Sequence, residues 1–370
     1  MGIEAFYHSV YLYTVLVLTL IVASRIGTKE YTLISEKQNN GLVTFIIFLG
    51  FALFLGQRPT FGFLFGDSYL YKHVFELVRR GYLNNYSREG EGLWQIFTQI
   101  CAVSVSLSTY FTIISLVYFL FSFWACYKFT PNNVLVSALF LLGSISMYTY
   151  AVNGLRNGAA CSIVLAAIAY ACSKSRNYYN YYIAAMLAMI ALGIHRSTIL
   201  PVVSLIASLL VVKNFTTAYR IWIGAIIVSL IAGDALSSIV MSFGYDERAT
   251  TYMTNLDTAK FHHIGFRWDF LIYSAMPILL GYIIIIKRGI HDSAYTILLN
   301  TYTLANAFWV LVIRANYSNR FAYLSWFMYP IVLAYPLLKL DVWGENQGRK
   351  VKQIMLAHVG FTWFMETFYW

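Results

Sequence analysis

Charge is scarce in this chain, and that scarcity excludes most kinds of soluble protein. Only 11% of the 370 residues are Asp, Glu, Lys or Arg, whereas 59% are hydrophobic and the mean hydropathy is +0.63. Soluble domains carry about 25% charged residues. Apolar runs long enough to cross a bilayer recur from end to end, so the composition predicts an all-α polytopic membrane protein.

Sequence signatures of metal, nucleotide and nucleic-acid binding are missing as well. The four cysteines lie in or beside apolar segments, with no CxxC pair and no Cys/His cluster, so neither disulfides nor zinc are supported. No Walker loop, GxSxG elbow, HExxH helix or Rossmann fingerprint is present, which leaves ATP-driven transport and soluble-type hydrolysis unsupported. The net charge is +10, but no basic run is dense enough for nucleic-acid binding. We therefore expect no metal, no cofactor and no nucleic-acid partner.

Eleven apolar stretches predict transmembrane helices, and a shorter one predicts an interfacial or re-entrant helix at 93–106. The predicted spans are 6–24, 42–56, 108–127, 133–150, 157–172, 178–194, 198–212, 219–240, 267–286, 293–313 and 320–338. We expect one transmembrane domain over 1–349, with long outer loops at 57–107 and 241–266. Residues 350–370 predict an amphipathic helix in the cytoplasmic interface, with a final crossing as the alternative.

The distribution of arginine is uneven between the two sides of the predicted membrane. The short turns at Lys174, Lys213 and Lys287 are cytoplasmic by the positive-inside rule, which puts the N-terminus in the periplasm and the C-terminus in the cytoplasm. Ten of the 15 arginines then lie outside: Arg58, Arg79, Arg80, Arg88, Arg156, Arg196, Arg248, Arg267, Arg314 and Arg320. Guanidinium binds phosphate through a planar fork of donors, so this face favours a phosphate or carboxylate ligand. Headgroup anchoring or chance composition is the alternative.

Acidic residues of the first long outer loop are candidates for proton transfer or sugar binding. Asp67 follows an apolar stretch, and Tyr71 lies four residues on, on the same helical face. Glu89 and Glu91 precede the next apolar run. Carboxylates placed here can accept a sugar hydroxyl proton or hydrogen-bond a sugar ring. Asp67 can equally be a helix cap.

Two tight outer turns place ionisable groups close to the hydrocarbon. Asn153 and Arg156 lie in one turn, and His195 and Arg196 interrupt another. Such groups are costly there unless they line a cavity or have a function. His195 can carry a proton near neutral pH. A snorkelling arginine and a simple wet turn are the alternatives.

The turn at 314–320 has a composition that suits an anion. Arg314 and Arg320 frame Tyr317 and several neutral donors. Asp234 and Asp269 are candidate partners for the arginines.

The order of these elements resembles the EpsG family of membrane polysaccharide-polymerisation proteins, which belongs with Wzy-type O-antigen and capsule polymerases. The resemblance covers about residues 40–335. It is carried by Asp67 with Tyr71, an acidic–Gly segment (Glu89, Glu91, Gly92), N-x-x-R from Asn153 to Arg156, H-R-S from His195 to Ser197, and the Arg314–Tyr317–Arg320 turn.

This resemblance implies a glycosyl transfer at the periplasmic face of the bacterial inner membrane, without ATP or nucleotide sugar. A growing glycan would move from undecaprenyl diphosphate to the sugar end of another lipid-linked repeat unit. The expected partners are undecaprenyl-diphosphate-linked oligosaccharides, membrane lipid and, as a further candidate, a chain-length regulator. Alternatives are a lipid-linked oligosaccharide flippase, an O-antigen ligase, a membrane acyltransferase and a noncatalytic assembly subunit.

Each candidate residue receives a role under this interpretation. Asp67 is the predicted base or acceptor-sugar ligand, and His195 is the alternative base. The residues predicted to stabilise the negative charge that develops on the diphosphate are Arg156, Arg196, Arg314 and Arg320. The predicted substrate-binding set is completed by Asn153, Tyr71, Glu89, Glu91 and Tyr317.

Overall fold

The computed structural model of the chain describes residues 2–26, 40–60, 64–83, 91–173, 177–242, 265–315 and 318–369. It is 83% helix, and the described residues contain no strand. The helices are α1 (Ile3–Arg25), α2 (Gly41–Gly56), α3 (Ser68–Arg79), α4 (Gly92–Ser104), α5 (Leu107–Phe129), α6 (Val134–Leu142), α7 (Ile145–Val152), α8 (Leu155–Ala171), α9 (Tyr178–Ile194), α10 (Ile199–Leu210), α11 (Phe215–Ser242), α12 (Trp268–Gly281), α13 (Ser293–Leu311), α14 (Ser318–Trp326), α15 (Tyr329–Lys339) and α16 (Gln347–Phe364). A 3₁₀ turn at Arg196–Thr198 precedes α10, and π-helical turns extend α12 through Lys287 and α16 through Tyr369.

Five of the described helices are long and apolar enough to cross a membrane, or six if one bent pair counts as a single span. The five are Ile3–Arg25, Leu107–Phe129, Phe215–Gly233, Trp268–Lys287 and Ser318–Lys339. The bent pair is α6 with α7, whose axes differ by 72°. Every one of the eleven predicted spans overlaps a helix or a helix pair, so the all-helical membrane fold is confirmed. The count of eleven crossings and the orientation of the termini stay predictions.

Polar side chains define where several helices begin. Ser106 precedes α5 and accepts the Thr109 amide hydrogen bond at 3.1 Å. Asp292 does the same for α13 by accepting from Tyr295 N at 2.9 Å. Such caps satisfy backbone donors that have no partner inside the helix.

The chain forms two compact units, whereas a single domain over 1–349 was expected. The first unit is Met1–Thr198 with Leu333–Trp370, and the second is Ile199–Val332. In the first unit, α8 is the central helix and is buried on all sides. Its six alanine residues allow α5 and α9 to approach closely.

The first unit contains a broken helix whose carbonyl groups are satisfied by distant side chains. Between α6 and α7, Tyr11 from α1 donates to Leu142 O at 2.7 Å. His358 from α16 donates through Nε2 to Phe140 O at 2.9 Å. Backbone acceptors at membrane depth need such internal donors.

The C-terminal helix α16 packs along α1 rather than standing apart from the bundle. His8 near the start of α1 lies 3.1 Å from Glu366 beyond the end of α16, so the two helices run antiparallel. Val15 and Val359 line one small cavity further along the same contact. This helix is not one of the described helices that are long and apolar enough to cross a membrane, and both the interfacial tail over 350–370 and the alternative of a final crossing stay predictions.

The second unit is held by an uncharged polar network among buried side chains. Asn306 on α13 accepts from Trp222 Nε1 at 2.8 Å and donates to Ser325 Oγ at 3.0 Å. Trp326 Nε1 donates to Ser274 Oγ at 2.7 Å. Buried polar groups satisfied in this way fix the mutual positions of α11, α12, α13 and α14.

Candidate functional site

A buried carboxylate joins three helix ends in the first unit. Glu91, immediately before α4, accepts from Arg156 Nη1 at Oε2 over 2.5 Å. Its other oxygen, Oε1, lies 2.8 Å from Nδ1 of His195. The Glu91 side chain is only 7% exposed, so both contacts are shielded from bulk water. We call Glu91, Arg156 and His195 the carboxylate cluster.

Close helix packing brings the members of the carboxylate cluster together. Arg156 lies in the first turn of α8, and His195 directly follows α9. Gly193 lets α4 approach α9, because a Cβ there would lie 2.6 Å from Leu93 Cδ1. A side chain at this position would therefore force the Leu93 side chain to move.

The chemistry of the carboxylate cluster follows from its hydrogen bonds. An ionised carboxylate only accepts, so His195 donates from Nδ1 and its Nε2 is the atom that can take up a proton. Arg156 supplies positive charge that favours the ionised form of Glu91. The arrangement is that of an imidazole base oriented by an acid.

Arg156 contacts a protein carboxylate. Its side chain is only 10% exposed and its Nη1 is bound to Glu91, and its predicted part in diphosphate binding stays a prediction. Glu91 was predicted to bind sugar, and both of its oxygens are instead held by protein groups. The physical reason is burial, since an ionised side chain is stable there only with a charged or strongly polar partner.

A second buried arginine, Arg58, holds three other chain segments together. Its Nη1 donates to Leu55 O at 2.7 Å, and Nη2 donates to both Ser68 Oγ and Val152 O at 2.8 Å. Ser68 Oγ in turn donates to Val152 O at 2.6 Å. Among the described residues no carboxylate pairs with this guanidinium. We call Arg58, Ser68 and the two carbonyl groups the carbonyl clamp.

The negative ends of two helix dipoles balance the charge in the carbonyl clamp. Leu55 O is in the last turn of α2 and Val152 O ends α7. Cations are favoured beside such carbonyl groups. Burial lowers the pKa of Arg58 to about 10, which still leaves the side chain charged at neutral pH.

Asp67 lies beside the carbonyl clamp on a turn of defined shape. Gly66 has φ +54°, and Asp67 N donates to Asn153 Oδ1 at 2.7 Å. A Cβ at Gly66 would meet the Asn153 side chain at 2.6 Å, so the turn requires glycine.

The Asp67 carboxyl group itself is half-buried and unengaged. It stands at the cap position before α3 but makes no capping hydrogen bond, so the structure does not support the side-chain cap considered for it. Within the described chain it has no hydrogen-bond or ion-pair partner. It is therefore available to a ligand.

Two further predicted residues belong to the same unit. Tyr71 packs edge-on against Trp94 with ring centroids 5.6 Å apart, within an aromatic cluster beneath α3. Arg196 is exposed, and in the part of the chain that the structure describes its guanidinium has no partner.

The remaining predicted residues are in the second unit or outside the described residues. Arg314 packs against Gly233 and lies 5.9 Å from the Phe266 ring centroid, and Arg320 is exposed in the first turn of α14. Asp269 is a partner of an outer arginine, as predicted, because it pairs with Arg267 at 2.6 Å and 2.9 Å. The residues outside the described ranges are Glu89 and Tyr317, and the side chain of Asp234.

Arg58 is a buried charged residue whose contacts the sequence did not predict. It was counted among the outer arginines without a role. Its position directly after an apolar span is the one signal that set it apart.

The apolar helices are those of a multi-pass membrane protein, and this protein holds a buried carboxylate–imidazole–guanidinium cluster with an exposed arginine beside it. The sequence profile of the EpsG family matches residues 41–365, and the chain belongs to this family. The family is associated with polysaccharide polymerase-type membrane proteins. No curated protein and no solved structure matches the chain.

Proposed function

We propose that this protein is a polysaccharide polymerase of the bacterial inner membrane, active at the periplasmic face. It transfers a growing glycan from undecaprenyl diphosphate to the sugar end of another lipid-linked repeat unit. The observation that carries the proposal is the bridging of Arg156 and His195 by Glu91 in a chain of this family. The cluster supplies a positioned base, which such a transfer needs.

The proton of the acceptor hydroxyl is taken by His195 in this scheme. The hydroxyl oxygen bonds to the anomeric carbon of the donor glycan, and the bond from that carbon to the diphosphate oxygen breaks. Nε2 of His195 accepts the released proton while Glu91 holds Nδ1. Arg156 acts on the reaction through Glu91, so it is a positioning residue.

The leaving group is undecaprenyl diphosphate, which departs with the electron pair of the broken bond. Arg196, adjacent to the base and exposed, is suited to stabilise the charge that develops on the diphosphate. Asp67, with its unengaged carboxyl group, is suited to bind hydroxyls of the acceptor sugar. Arg314 and Arg320 stay candidates for the diphosphate.

The test is a glycan ladder from a deletion strain that carries the gene on a plasmid. Deletion of a polymerase leaves carrier glycan with a single repeat unit, whereas loss of a flippase or a ligase leaves no repeat unit attached. Wild-type protein should restore the ladder, and His195→Gln, which cannot accept a proton, should leave single units.

A matched variant separates catalysis from folding. His195→Asn places an amide donor where Nδ1 contacts Glu91 and removes Nε2. We expect normal membrane levels and no ladder for this variant. A full ladder from both His195 variants would refute the assignment of the base, and a strain with no attached repeat unit after deletion would refute the polymerase.

A further inference from the structure

The short helix α3 has one buried and one exposed side. Phe75 is buried against Tyr110 of α5, with ring centroids 5.0 Å apart. The exposed side includes Tyr69, and Arg79 and Arg80 lie exposed at the C-terminal end of the helix. α3 thus lies over the ends of α4 and α5 with cations at its far end.

These two arginines lack the carboxylate partners that Arg156 and Arg267 have. Arg79 lies 6.0 Å from the Phe75 ring centroid, and within the described ranges neither it nor Arg80 has an ion-pair partner. A helix dipole favours a cation at this end, but adjacent exposed guanidinium groups also form a site for a doubly charged phosphate group.

The length of α3 separates this cation pair from the reaction site. Asp67 directly precedes the 12-residue helix and Arg79 ends it. At about 1.5 Å per residue, the two positions are roughly 18 Å apart along the helix axis.

A polymerase of the proposed kind has to hold two diphosphates at different distances from its base, and the inference rests on that proposed function. The donor diphosphate is bonded to the reacting sugar and so lies at the base. The acceptor reacts through the sugar farthest from its own diphosphate. That second diphosphate must therefore lie one repeat unit away from the base.

We propose that Arg79 and Arg80 bind the diphosphate of the acceptor lipid. The doubly charged headgroup is complementary to the two guanidinium groups. Tyr82, an exposed aromatic residue two positions beyond Arg80, suits the membrane interface in which that headgroup lies. α3 then sets the distance between the acceptor diphosphate and the sugar that reacts at Asp67 and His195.

The experiment compares two acceptors in proteoliposomes that contain the full-length protein and a lipid-linked polymer as donor. One acceptor is the lipid-linked repeat unit from the deletion strain, and the other is the same oligosaccharide released from its diphosphate. In the double variant Arg79→Ala/Arg80→Ala we expect KM for the lipid-linked acceptor to rise about tenfold or more. Transfer to the released oligosaccharide should not change.

The control Lys213→Ala/Arg220→Ala removes two exposed cations from the turn predicted on the opposite side, and should leave both acceptors unaffected. Unchanged kinetics with both acceptors in the Arg79/Arg80 variant, or an equal loss with both, would overturn the inference. Glu91→Gln keeps the outcomes distinct. If it abolishes both transfers while the Arg79/Arg80 variant behaves as wild type, only the α3 inference fails. If it leaves both transfers intact, the assignment of the base to the carboxylate cluster fails as well. Absence of transfer to either acceptor by the wild-type protein would overturn the proposed function itself.

Discussion

The carboxylate cluster and the carbonyl clamp bury an arginine by opposite means. Arg156 is neutralised by a full negative charge on Glu91. Arg58 is surrounded by neutral oxygens, and its charge is balanced by the ends of two helices. Both residues stand at helix ends of the first unit, so the protein uses both solutions within one structure.

This difference points to a chemical role for the carboxylate cluster and a structural role for the carbonyl clamp. A buried ion pair with a titratable third member can gain or lose a proton, whereas a guanidinium held by carbonyl groups cannot. The carbonyl clamp shares Ser68 and the neighbouring Asn153 turn with Asp67. It is therefore suited to hold the Asp67 loop in place, whereas the proposed proton transfer is assigned to the carboxylate cluster.

Of the substitutions considered, removal of the Glu91 charge should cause the largest loss of chain growth. Glu91→Gln leaves Arg156 buried beside a neutral acceptor, and we expect chain growth to fall by about a hundredfold or more. The variant should also lose about 3 kcal/mol of stability. Ladder length per folded protein and unfolding in detergent measure the two effects.

The matched control for this change is Glu76→Gln, which alters an exposed carboxylate 3.9 Å from Lys72. It should leave both measurements near wild type, because exposed pairs of this kind contribute about 0.2–1 kcal/mol. Equal losses in the two variants would show that the effect does not depend on the carboxylate cluster.

Substitution of Arg58 should act on stability more than on chemistry. Arg58→Ala removes the side-chain donor of Leu55 O and one of the two side-chain donors of Val152 O, which should cost about 2–4 kcal/mol. Arg58→Lys keeps the charge but not the fork, so its unfolding midpoint should lie between those of the wild type and the alanine variant. A normal midpoint for Arg58→Ala would mean that the clamp is not a stabilising element.

A smaller effect is expected where the clamp meets Asp67. Gly66→Ala should lower the free energy of unfolding by about 2 kcal/mol, because alanine is strained at the positive φ and its Cβ would clash with the Asn153 side chain. Gly81 provides the control, because it has φ +75° and no atom within 4 Å of an added Cβ. Gly81→Ala should cost about 1 kcal/mol. The two unfolding free energies would coincide if the Asn153 contact did not matter.

The smallest effect should come from the pair that joins the two termini. His8 and Glu366 are partly exposed, so their coupling in a double-mutant cycle should be about 0.5 kcal/mol. His8→Ala, Glu366→Ala and the double variant give this value from unfolding in detergent. A coupling near that of Glu91 with Arg156 would mean that the termini form a second buried cluster.

The helices of this fold could be predicted from the sequence, since each apolar run became a helix. The break between α6 and α7 was not predicted, because the apolar residues on both sides of Gly143 and Ser144 form one run long enough for a single span, and the Gly–Ser pair was the only local signal of a bend. The two-unit organisation depends on contacts between distant segments and leaves no local signal either.

Individual site residues were found more readily than their partners. Glu91, Arg156 and His195 were each recognised as polar groups at a turn, but they are 65 and 104 positions apart in the chain. Whether an arginine binds substrate or a neighbouring carboxylate is decided by packing across that separation. The same holds for Arg58, whose partners are mostly backbone carbonyls and have no sequence signature.

The broken helix also bears on how the chain is made. Its Phe140 carbonyl accepts from His358, 218 positions later, so this contact forms only when nearly the whole chain has left the ribosome. Until His358 has been synthesised, the Phe140 carbonyl group lacks its final hydrogen-bond donor. A nonsense codon before His358, or a bulky fusion at the C-terminus, should therefore disturb the α6–α7 region during membrane insertion, before any substrate binds.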